Sequence, residues 1–130
     1  MAILCLVLLA AALVSSGKSQ AQEIEVAEVM GEAYEAPVKA VMLVPVQELA
    51  SDTPYGEIVR RAKEIENASK RLPFADSLKG DQAIVALSRQ LQGRAALLRK
   101  SAAKNNFTAL SGPLIDLRRT CLQCHSEYRF

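Results

Sequence analysis

Apolar residues in this chain recur at steps of three and four in every long segment and nowhere alternate with period two, which restricts the chain to packed helices. The cleanest stripe is Ile84, Leu87, Leu91, Ala95, Leu98 and Ala102, opened by Asp81 as a cap residue and ended at Asn105 and Asn106. A second long helix is expected from Phe107 to about Tyr128, with Leu110, Leu114, Leu117, Cys121, Cys124 and Tyr128 on one face. Upstream, Val26, Met30, Ala33 or Tyr34, Pro37, Val41 and Val44 keep the period from Ile24 to Leu49. Pro37 and Pro45 interrupt that segment, so it should kink near residue 36 and end or bend near residue 44. A further helix should open at Thr53-Pro54, carry Ile58, Ala62, Ile65 and Leu72 inward, and stop at Pro73. A chain of 130 residues has room for one such core. The expected fold is all-α, an antiparallel four-helix bundle.

The first residues stand apart from this pattern. Ala2 to Val14 form an apolar run of 13 residues, shorter than the ~20 a spanning helix needs, and Ser15-Ser16-Gly17 follows. Ser19-Gln20-Ala21 has the small-x-small form of an export cleavage site. Residues 1–21 therefore read as a signal peptide and residues 22–130 as the folded domain, delivered to a periplasm. No membrane contact is expected beyond an uncleaved signal acting as a short anchor. Cys5 lies in the exported segment, which leaves Cys121 and Cys124 to the domain.

Composition narrows the partners. Half the residues are hydrophobic, too many for disorder, and a formal charge of +2 falls short of a nucleic-acid-binding surface. Charge is divided along the chain, with eight acids against Lys39 alone between Gln22 and Glu57, and fourteen Lys and Arg against six acids from Ile58 onward. Solvated helix faces of opposite sign account for that division, and a basic docking surface for an acidic partner protein is the sharper alternative.

The chemistry is concentrated at Cys121-Leu122-Gln123-Cys124-His125, the C-x-x-C-H attachment sequence for c-type haem. Thiols three residues apart share one helix face, where each can form a thioether to a vinyl group on the same porphyrin edge, and the next residue supplies an imidazole to the iron. Structural zinc requires four ligands, and two thiols beside the only histidine do not provide them. A thioredoxin-like pair opens a helix after a strand, whereas this pair closes one. A disulfide across three residues of helix is poorly placed. One motif means one haem c per chain, and a single histidine means that the sixth iron position is not a second imidazole. Only five residues follow His125, which leaves no room for a downstream methionine ligand of the kind small cytochromes c use. The bundle is also rich in alanine and has six aromatics, so an apolar group is expected to complete its core.

In C-x-x-C-H-x-x-Y-R, read as Cys121, Cys124, His125, Tyr128 and Arg129 at the end of the last helix, the chain resembles the class II c-type cytochromes, cytochrome c-prime and its cytochrome c-556 relatives. Val29-Met30 with Pro37 seven residues on is similar to the first-helix pattern of that group, although Val26 to Val29 carry no basic residue. The resemblance implies haem between helices, His125 as proximal ligand, and electron transfer or gas binding in a periplasm.

Met30 is the leading sixth ligand, since its thioether would give low-spin iron of raised potential in an electron carrier. Met42, twelve residues on and about 120° around the helix, is the competing donor. An open site binding nitric oxide or carbon monoxide is the alternative function. Tyr128 is expected to pack against the porphyrin or close the bundle end. No nucleophile with a base, phosphate loop or second metal cluster appears, so an enzyme is not expected. Redox partner proteins are expected, and a homodimer is compatible with the apolar content.

Overall fold

The computed structural model describes residues 25–128. The signal segment 1–21 with Cys5, and Arg129 with Phe130, lie outside the described residues. The chain is all-α, with helices packed on one another and no strand among the described residues.

Helix α1 (Val26–Glu28) runs into a π-helical turn (Val29–Tyr34), then α2 (Glu35–Met42) and α3 (Val44–Leu49). The expected kink near residue 36 is instead this wider turn upstream of it, in which the Glu35 N–H donates to Met30 O, five residues back. Pro37 offers no N–H to the carbonyl four residues earlier and its ring crowds it; a π turn widens the helix where that crowding falls. The break expected near residue 44 is real, at Leu43, with Pro45 in the first turn of α3.

Helix α4 (Tyr55–Ser69) starts one residue later than Thr53-Pro54 suggested, with Pro54 at the cap position and no side-chain cap. The Thr53 hydroxyl donates instead to the Glu48 carboxylate. It also ends before Pro73, which falls in a 3-10 turn (Leu72–Phe74), followed by another at Asp76–Leu78. Gly80, at φ +84°, takes the left-handed backbone that reverses the chain into the next helix.

Helices α5 (Gln82–Ala102) and α6 (Phe107–Glu127) follow the sequence pattern closely. Asp81 Oδ1 accepts from the Ala83 and Ile84 N–H groups at 2.8 and 3.2 Å, and the six stripe residues of α5 are all buried. Asn106, expected only to end α5, also caps α6, its Oδ1 accepting from the Ala109 N–H at 3.2 Å. The main core joins Val29, Val41, Ile65, Leu98, Leu110 and Leu117, each essentially inaccessible, across α2, α4, α5 and α6. At the other end a smaller cluster of Val26, Ala75, Leu78 and Ile84 packs near the end of α6. Arg94 donates to Asp116 at 3.2 Å and Tyr128 to Asp81 at 2.8 Å, so α5 and α6 run antiparallel.

Candidate functional site

The last turns of α6 carry Cys121, Cys124 and His125, and these three residues line one cavity of about 450 Å³. That volume is within the ~300–1,000 Å³ of small-molecule and cofactor sites. Leu72, Leu78, Ile84 and Leu91 supply its apolar wall from the 3-10 turns and α5. The remaining lining comes from α1, the π turn and α2.

Those residues fall in two rows with a step of four: Val26, Met30, Tyr34 and Val38 in one, Gly31, Glu35 and Lys39 in the other. In an α-helix a step of four overshoots a full turn by about 40°, so twelve residues would swing a row through about a third of the circumference. Underwinding in the π turn takes back part of that drift and keeps both rows on the cavity. A strict 3.6-residue count puts Met30 in the core; the structure buries Val29 completely and leaves Met30 partly exposed at the cavity.

Met30 thus shares the cavity with the C-x-x-C-H motif, whereas Met42 packs against the main core away from it. Tyr34 lines the cavity with its ring and donates its hydroxyl to Ser69 Oγ at 3.1 Å; Ser69 donates in turn to Ile65 O at 2.7 Å. Burial raises the Tyr34 phenol well above its ordinary value, opposed in part by the Ser69 hydrogen bond. Every polar atom of this buried pair is therefore directed away from the cavity and into the protein.

Cys121 and Cys124 are free thiols, each half-buried. Burial pushes Cys121 up to about 11, with the neighbouring Cys124 adding to the rise, and raises Cys124 through burial and then Glu127. A dithiol built for exchange has the opposite character, since its attacking sulfur is held as thiolate. Among the described residues no three His, Cys, Asp or Glu side chains gather as a bare metal ion would require.

Two polar residues at the cavity are absent from the sequence expectations. Glu35 and Lys39 form an exposed ion pair at 2.5 Å, and the Lys39 hydrogen bond holds the Glu35 carboxyl below its ordinary value. Their spacing from Gly31 by fours is the signal that could have found them, once the helix is known to be underwound.

Tyr128 is not among the cavity-lining residues. Its ring packs on the smaller cluster that backs the cavity, and its hydroxyl donates to Asp81 Oδ2 at the bundle end. That hydrogen bond raises Tyr128 to about 12 and, with the cap bonds, lowers Asp81. Arg118 and Arg119 are exposed and do not line the cavity; Arg119 donates to Asp116 at 3.2 Å.

These residues fit a haem c. The cavity is walled by apolar side chains, its two thiols lie three residues apart on one helix, the imidazole follows directly, and a thioether borders the same space. No protein-family model, curated protein or solved structure matches this chain.

Proposed function

We propose that this chain is a periplasmic monohaem c-type cytochrome of the class II kind, a four-helix bundle that carries single electrons. One observation carries the reading: Cys121, Cys124, His125 and Met30, residues up to 95 positions apart, border a single apolar cavity. The four helices of that bundle would be the α1–α2 segment, α4, α5 and α6.

Cys121 and Cys124 would hold the group by adding their thiols across its two vinyl groups. His125 would give its imidazole to the iron, and Met30 its thioether. A haem bound there supplies a one-electron couple between ferric and ferrous iron, with the potential raised by the methionine. Leu72, Leu78, Ile84 and Leu91 would exclude water from the ring, and a partner protein would approach on the side of the exposed His125.

Absorption spectra of the matured protein test this. The expected result is a covalent haem that survives a denaturing gel, with a low-spin spectrum unaffected by carbon monoxide. A high-spin spectrum that responds to carbon monoxide would instead assign the protein to gas binding, with Met30 as wall. Unmodified sulfurs on Cys121 and Cys124, found by mass spectrometry after expression with the maturation machinery, would reject haem altogether.

A further inference from the structure

We infer that Tyr128 and Asp81 form a clamp that keeps the last turn of α6 in register, which makes Tyr128 a positioning residue for His125; this rests on the haem reading above. Helix α6 ends at Glu127, so His125 belongs to its terminal turn, where helices lack partners for their carbonyls and fray. A ligand on a fraying turn is held poorly.

Tyr128 closes that turn twice. Its backbone N–H donates to Cys124 O at 2.8 Å, and its hydroxyl donates to Asp81 Oδ2 at 2.8 Å, joining residues 47 apart in sequence. The acceptor is itself fixed, because Asp81 Oδ1 is committed to the Ala83 and Ile84 N–H groups at the start of α5. The positive end of the α5 dipole keeps that carboxylate ionised and in place. The Tyr128 ring packs on the cluster of Val26, Ala75, Leu78 and Ile84, three of which also line the cavity, so displacement of the ring would be transmitted to the cavity wall. The end of the ligand helix is thereby pinned to the beginning of its neighbour, and the loop between α5 and α6, at the far end of the pair, cannot do the same.

Tyr128→Phe removes the hydroxyl and leaves the ring. Asp81→Asn leaves an Oδ1 for the cap and replaces the accepting oxygen with a donor. Each variant, purified with haem attached, should exchange the amide hydrogen at position 128 about tenfold faster and show more than one low-spin ferric species by electron paramagnetic resonance, where the parent shows one. The double variant should add nothing to either single change. Ile65→Val, deep in the main core, should lower the melting temperature without altering the resonance. A parent protein without covalent haem would sink the haem reading and the positioning role together. With haem present in the parent, an unchanged resonance in both single variants, or additive effects in the double, would overturn the clamp alone.

Discussion

The Arg99 guanidinium on α5 donates to the Glu66 carboxylate on α4 across 3.1 Å, and Glu66 is among the few buried polar side chains of the described residues. Lys63 donates to the other carboxylate oxygen at 3.2 Å. A buried carboxylate with both oxygens engaged locks the relative register of the two helices, since a slip by one turn would leave the charge without partners.

Arg99→Ala should therefore cost about 1–3 kcal/mol, less than a fully orphaned charge because Lys63 remains. Burial raises the Glu66 carboxyl, and the Lys63 and Arg99 hydrogen bonds outweigh it, so the carboxyl lies below its ordinary value. A carboxyl lowered by folding contributes stability above its unfolded pKa and loses it as pH falls through the folded value. Thermal melts of the parent and variant should consequently differ most at neutral pH and converge as the pH falls below the ordinary carboxylate range.

Met30→Ala should convert a low-spin spectrum into a high-spin one that binds carbon monoxide. Met42→Ala, on the core side of the same segment, should lower stability and leave the spectrum unchanged. Identical spectra in the parent and Met30→Ala would make Met30 a wall residue.

Tyr34→Phe should cost about 1 kcal/mol, the net worth of one buried hydrogen bond, because Ser69 keeps its own bond to Ile65 O. The haem spectrum should be preserved, since the hydroxyl points away from the cavity. A denaturant melt with an unchanged slope measures the first, and an absorption scan the second.

Leu117→Ala should destabilise the chain by about 2–5 kcal/mol, the range for truncating a leucine with no exposed surface. Leu49→Ala, at a leucine 89% exposed, should change stability by less than about 0.5 kcal/mol. Comparable losses at both positions would mean that α3 is covered by something other than solvent.

The two long helices α5 and α6 were readable over nearly their whole length, because each is striped with large aliphatic residues at steps of three and four; the Asn106 cap of α6 and its continuity through Pro113 belong to the fold. The first segment was readable only in outline. Pro37 announced an irregularity, yet proline chemistry says that the helix is disturbed and not in which direction the turns adjust; the fold takes it up as a wider turn at Val29–Tyr34. Thr53 does not cap α4, and its hydroxyl is held by Glu48, an acceptor that only chain folding brings near.

At the candidate site, Cys121, Cys124 and His125 stand together in the sequence, and the chemistry of thiols and imidazole at that spacing needs no fold to be recognised. Which of Met30 and Met42 borders the cavity depended on the tertiary structure, since both lie on one broadly apolar segment and the π turn alters which of its faces reaches the cavity. The Tyr128 bond to Asp81 is still less local, linking the end of one helix to the cap of another. Covalent order determined what this chain carries within a few residues of itself, where steric and bonding rules act alone. Contacts between distant segments were decided by burial, because an apolar surface removed from water is indifferent to which sequence neighbours supplied it.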